Sequence, residues 1–287
     1  MSSINTNASA MTALSTLRNI NRDLEGAQDR ISTGLKISSG KDNAAYFAIS
    51  KTMSGDSSMY KAIDESLTLQ QNSVSTARLG AETVADLADE FLERVAFAQG
   101  SAGDQSARTD IQTELNELAA RIQTVIDQST FNGESLVKGA VDSVTAVTVV
   151  TGITRSASGV STTTITYDRQ DLTAIQSTLA NIDISSAASA ASAATVLSQA
   201  LTDAQGALDA AITSATALGV AEKSIETQKQ FLGELTDRID VGVGSMVDAN
   251  MEEEAARLQA LQVQQQLATQ SLSIANQAPQ NILSLFR

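Results

Sequence analysis

Cysteine is missing from this sequence, so disulfides, thiolate metal sites and thiol nucleophiles are excluded. Histidine is absent too, and a single proline, Pro279, occurs in 287 residues. Aromatic residues supply only 3% of the chain, against a hydrophobic fraction of 42% that is largely Ala, Leu, Ile and Val. Small apolar side chains suit thin helix–helix seams better than a wide globular interior, and scarce proline leaves long helices unbroken. A rod or bundle is therefore expected rather than a compact enzyme-like body.

Basic residues are outnumbered, 19 Lys and Arg against 33 Asp and Glu, giving a net charge of −14 and a pI near 4.4. Such a chain repels phosphate backbones and anionic membrane surfaces, which argues against nucleic acid and membrane as partners. No run of about 18 apolar residues is present to cross a bilayer. The opening Met1 to Asn7 lacks the basic and apolar regions of a cleaved signal peptide, so a route other than general secretion is expected.

What the sequence has is periodicity. Ile4, Ala8, Met11, Leu17, Ile20, Leu24, Ala27 and Ile31 form a helical stripe that stops where Gly34 and Gly40 bracket a connector. From Tyr46 to Ala98 apolar residues recur in alternating steps of three and four, the 3.5-residue period of a coiled coil, over roughly 80 Å of helix. Ile111, Leu115, Leu118, Ile122 and Val125 mark a shorter helix, closed by Thr130-Phe131-Asn132-Gly133. Two β-branched runs, Val144 to Val150 and Ser161 to Tyr167, flank a Gly-containing turn and predict a hairpin.

Leu172 to Ile182 predict a short helix, and Ser185 to Ala194 reads either as a loop or as a close-packed helical segment. A long stripe resumes at Leu197, and Gly242 and Gly244 are expected to interrupt it. The last segment repeats the heptad rhythm at Leu258, Leu261, Gln265, Ala268, Leu272 and Ala275, slowing at Pro279 before Ile282, Leu285 and Phe286. Outer helices, glycine joints and long inner helices thus occur in one order and then reverse. The predicted fold is mainly α: a long antiparallel helical rod or coiled coil formed by both halves of the chain, with a small central β-hairpin. Its parts are a terminal helical domain (1–40 and 246–287), a rod domain (41–136 and 171–245) and a hairpin insert (137–170).

Chemical motifs are weak. Gly34 to Lys41 fails as a P-loop: five residues separate Gly34 from Gly40, and Asp42 stands where the magnesium-binding hydroxyl belongs. Glu252-Glu253-Glu254 reads as a solvated first helical turn favoured by the helix dipole, because adjacent helical positions point in different directions. Val241-Gly242-Val243-Gly244 lacks the third glycine of a dinucleotide fingerprint. No Asp or Glu pair stands out as an acid–base couple, so the expectation is a non-enzyme without cofactor or metal.

Each outer segment is about 30 residues long, and a two-helix pair buries too little apolar area to offset its ordering entropy. Such ends either fray in the monomer or are ordered by other copies. The candidate polymerisation seam is Ile4, Met11, Leu17, Ile20, Leu24, Ile31, Leu258, Leu261, Leu272, Ile282 and Leu285. The Ser/Thr density of the hairpin marks Ser156, Ser158, Ser161, Thr162, Thr163 and Thr164 as candidate glycosylation sites.

Ser3-Ile4-Asn5-Thr6-Asn7, Arg30-Ile31-Ser32-Thr33-Gly34-Leu35-Lys36-Ile37, Lys41-Asp42-Asn43-Ala44-Ala45 and Thr130-Phe131-Asn132-Gly133 resemble motifs of bacterial flagellins, as does the ending Ala275 to Phe286. The texture is similar to short alphaproteobacterial members, without large outer domains. The resemblance implies a structural subunit that self-polymerises into the extracellular flagellar filament and serves motility. It also implies unfolded export through the flagellar type III apparatus, and the filament cap, hook–filament junction proteins and export machinery as partners beside the chain itself. A hook–filament junction protein is the alternative with the same terminal plan. One departure is Glu90-Phe91-Leu92-Glu93-Arg94-Val95-Ala96-Phe97-Ala98-Gln99, which lacks the Arg pattern that the family presents to an innate immune receptor.

Overall fold

The computed structural model describes residues 7–139, 145–156, 159–187 and 189–285, with the backbone alone for 278–285. Among the described residues six helices and one hairpin follow in the order α1 (Ala8–Thr33), α2 (Ala44–Gln99), α3 (Gln105–Gln128), β1 (Ala146–Ser156), β2 (Gly159–Asp168), α4 (Leu172–Ala180), α5 (Ala190–Val247) and α6 (Met251–Leu285).

The helix boundaries have local causes. Asn7 caps α1, its Oδ1 accepting from the Ala10 amide at 3.1 Å. Gly34, at φ 72°, ends that helix in the left-handed conformation and donates its amide to the Arg30 carbonyl. Asn43, Asp104, Asp171 and Asn250 likewise accept amide hydrogens from the first turns of α2, α3, α4 and α6. The Ala/Ser stretch divides at Ala190, where α5 begins.

An expected helix boundary is corrected. Gly242 and Gly244 do not interrupt the long stripe, since α5 runs unbroken to Val247. A helical glycine costs only about 1 kcal/mol relative to alanine, too little to break a helix of 58 residues. A Cβ on Gly242 would lie 3.6 Å from Met53, and one on Gly244 would lie 2.6 Å from the Asp248 carboxylate.

The chain divides into two compact units. The first, Met1–Ser58 with Asp237–Arg287, holds α1, α6 and the adjoining parts of α2 and α5. Its connectors are tied by backbone hydrogen bonds: the Lys36 and Ile37 amides donate to the Val247 carbonyl, and the Ala249 amide to that of Gly34.

The second unit, Met59–Thr236, carries the core. Along α2 it takes Leu67, Val74, Ala81, Phe91 and Val95, all fully buried. Ile122 and Ile126 of α3 and Leu218 and Ile225 of α5 join the same cluster. Here α2 runs antiparallel to α5, with Arg78 Nε 2.6 Å from Glu222 Oε2 and Lys229 Nζ 3.1 Å from Gln71 Oε1.

The hairpin pairs Ala146 with Asp168 through to Ser156 with Gly159, with a bulge at Thr151. Helices hold it at several points: Gln228 donates to the Thr151 carbonyl, Tyr60 to that of Ile153, and Gln70 bonds the Tyr167 hydroxyl.

Candidate assembly surface

In the first unit α1 and α6 pack antiparallel. Polar contacts fix the register at three levels: Asn7 Nδ2 donates to the Ala275 carbonyl at 2.7 Å, Gln265 Nε2 to Asn21 Oδ1 at 2.8 Å, and Arg30 Nη1 to Glu254 Oε1 at 3.1 Å. Between them lie Leu17, Ile20, Leu24, Leu258, Leu261 and Leu272 of the predicted seam.

The structure turns much of that seam inward. Leu261 is buried, while Leu17, Ile20, Leu24, Ile31, Leu258 and Leu272 are half-buried within the pair of helices. Met11 alone among the described seam side chains faces solvent, 60% exposed. Ile4 lies outside the described residues, as do the side chains of Ile282 and Leu285.

A second apolar stripe was not singled out by the heptad reading. Val263, Leu267 and Ile274 are 55%, 59% and 70% exposed, and their spacing of four and seven puts them on one face of α6. Leu267 also borders a groove of ≈ 720 Å³ between the helices, where Ser9, Thr12, Ala13 and Thr16 of α1 face Gln264, Ala268 and Ser271 of α6. The signal for this stripe was present as apolar residues off the a/d positions. Among the described residues of α1 and α6 only Ala27, Leu261 and Glu254 are buried.

Glu254 departs from the solvated role expected of the Glu252–Glu254 run. It is buried, paired with Arg30, and its Oε2 has no hydrogen-bond partner among the described residues. The Gly34 to Lys41 connector offers no free amide cradle for an anion. Asp42 Oδ2 accepts from the amides and hydroxyls of Ser38 and Ser39. These bonds, the Ser39 amide first, hold the Asp42 carboxyl below its ordinary value.

Other perturbed groups have similarly local causes. Lys138 followed by Gln123 lowers Asp127, the Ser185 hydroxyl lowers Asp183, and burial raises the Tyr167 phenol. Among the described residues no group of three acidic side chains is placed to hold a metal ion, and no helix is long and apolar enough to cross a membrane.

On the hairpin, strand alternation separates the candidate hydroxyls. Thr162 and Thr164 stand on the face away from the buried Val149, whereas Thr163 Oγ1 lies 3.3 Å from Thr151 Oγ1 on the helix-facing side. Ser161 Oγ is 3.0 Å from Thr154 Oγ1, Ser156 Oγ donates to the Gly159 carbonyl, and Ser158 lies outside the described residues.

Comparison with known proteins agrees with this layout. Residues 4–142 match the bacterial flagellin N-terminal helical region, and residues 201–286 match the bacterial flagellin C-terminal helical region. A flagellin of Brucella melitensis is 39% identical over 287 residues, covering 100% of both chains. Flagellin FljK of Caulobacter vibrioides is 34% identical over 100% of this chain and 99% of its own. Among solved structures, a flagellar hook-associated protein from Vibrio parahaemolyticus covers 72% of this chain and 98% of its own at a TM-score of 0.51 and 12% identity, a likeness of fold alone. With both terminal helical regions matched and full-length relatives above 30% identity, the chain belongs to the bacterial flagellin family.

Proposed function

We propose that this chain is the structural subunit of a bacterial flagellar filament, exported unfolded through the flagellar type III apparatus and polymerised outside the cell for motility. The observation that carries the reading is the α1/α6 pair. It buries three residues privately and leaves Val263, Leu267 and Ile274 exposed along one face. Fully burying a side chain of this size contributes about 1.5–3 kcal/mol, so neighbouring copies stabilise what the pair alone does not. Contacts between different faces of identical subunits do not close, and they generate a helical polymer.

In this reading residues 1–40 and 246–287 form the inner layer, 41–136 and 171–245 the rod, and 137–170 an outward insert. The seam residues act in two ways. Leu17, Leu24 and Leu261 hold the pair together, while Met11 and the α6 stripe meet other copies. The chain is not an enzyme, and the cap, junction proteins and export machinery are its further partners. Relatives named flagellin that align over the full length favour this reading over a hook–filament junction role.

Deleting Leu258 to Arg287 should leave a soluble chain that forms no filaments on seeding. Normal filaments from that truncation would overturn the proposal. Carbohydrate on the hairpin is proposed for Thr162 and Thr164, whose hydroxyls face outward. An intact mass of native filaments equal to the sequence mass would remove it.

A further inference from the structure

Asn132 followed by Gly133 is the one Asn-Gly step in the sequence. It forms the tip of a two-residue turn closed by the Phe131 amide donating to the Glu134 carbonyl at 2.9 Å and the Glu134 amide to that of Phe131 at 3.0 Å. Both tip residues are left-handed, Asn132 at φ 52° and Gly133 at φ 82°, and both are exposed. A Cβ on Gly133 would meet nothing within 4 Å.

Several other asparagines among the described residues are tied down. Asn7, Asn43 and Asn250 spend their carbonyl oxygens on helix amides, Asn21 bonds Gln265, and Asn116 accepts from Gln112. Where an asparagine lies inside a helix, the amide that follows it is also held in the helical ladder. Among the described residues neither the Asn132 side chain nor the Gly133 amide makes a hydrogen bond.

We propose that Asn132 is a site of spontaneous deamidation in the folded protein. Water or hydroxide takes the Gly133 amide proton, and that nitrogen attacks Asn132 Cγ. The new C–N bond closes a five-membered imide as the side-chain nitrogen leaves as ammonia, protonated by solvent. Water then adds to either imide carbonyl and breaks its bond to nitrogen, giving aspartate or isoaspartate. No oxidant, reductant or second enzyme is needed.

The isoaspartyl product lengthens the main chain within a turn that has room for two residues, so the Phe131–Glu134 hydrogen bonds are lost. It also adds a carboxylate beside Glu134. Immediately downstream, Leu136 and Val137 are buried, and their carbonyls accept from the Gln170 and Leu172 amides. Deamidation therefore loosens the place where the hairpin insert joins the rod.

The test ages the full-length chain, folded and in urea, in mildly alkaline buffer and maps peptides by mass spectrometry with fragmentation that distinguishes isoaspartate. The expected result is conversion at Asn132 in the folded chain ahead of every other asparagine. The rate should rise with pH, and Leu172 should lose amide-exchange protection as product accumulates. Both signals should be lost in Asn132→Gln. Asn132→Gly, which keeps the left-handed turn without an amide, should age with no change at Leu172. Conversion confined to the urea sample, or spread evenly over the asparagines, would overturn the proposal.

Discussion

Arg30 Nη1 sits 3.1 Å from Glu254 Oε1, joining the last turn of α1 to the first turn of α6. The two partners are unequal: the Arg30 side chain is 35% exposed and that of Glu254 only 9%. Removing the cation strands a buried carboxylate, whereas removing the carboxylate leaves a cation that reaches water. Arg30→Ala is expected to destabilise the α1/α6 pair by roughly 1–3 kcal/mol, while Arg30→Met with Glu254→Met is close to neutral. Native-state hydrogen exchange of the α6 amides in assembled filaments measures both.

Arg108 is 2% exposed, and its partners are carbonyls rather than a carboxylate. Its guanidinium donates to the carbonyls of Ala102, Ile184 and Ala187 and to the Gln105 side chain. Arg108→Met strips donors from three carbonyls at once, and a loss of at least about 2 kcal/mol is expected. Urea unfolding followed by circular dichroism gives the magnitude, and exchange at Ile184 gives the location.

Gly80 lets α2 approach the end of α3, since a Cβ there would lie 2.0 Å from Ser129 Oγ and 2.7 Å from its Cβ. Gly80→Ala alone should cost about 1–3 kcal/mol through overpacking. Adding Ser129→Gly removes the clashing atoms, so the double variant should recover much of the loss. Additive costs in the double-mutant cycle would contradict the contact.

The Ser38 to Asp42 connector carries a pH prediction. The Ser39 and Ser38 amides favour ionised Asp42, so its folded carboxyl titrates below the ordinary 3.8. That contribution is fully present above the unfolded value and disappears as pH falls through the lower folded one. Amide exchange at Ser38 and Ser39 should stay slow from neutrality down to about pH 4 and rise below it. In Asp42→Asn the acid-dependent step should be gone.

Much of this architecture was legible because it rests on local rules. Leu67 to Ala98 keep their three-and-four spacing in the buried face of α2, and Gly34 ends α1 as a left-handed cap. The hairpin followed from β-branched runs about a turn. Persistence of α5 through Gly242 and Gly244 was not legible, because two glycines near the end of a stripe look the same whether the helix stops there or carries their small cost through to Val247. Nor was the burial of Glu254, whose partner Arg30 is 224 residues away. For the terminal helices, periodicity located the apolar stripes but did not separate residues that α1 and α6 cover between them from Val263, Leu267 and Ile274, which stay exposed. That division depends on which face the partner helix covers.

The hairpin leaves and rejoins the helices at one place. Gly139 donates to the Gln170 carbonyl, and the Leu172 amide to that of Val137, so the segments that flank the hairpin are stitched side by side. With entry and exit fixed, the span between them is a closed loop, and lengthening it adds only a slowly growing closure entropy. The insert can therefore change in length or surface chemistry while the helices beneath it keep their packing. In a polymer of many copies, each such change is repeated in every subunit at no cost to the helical core.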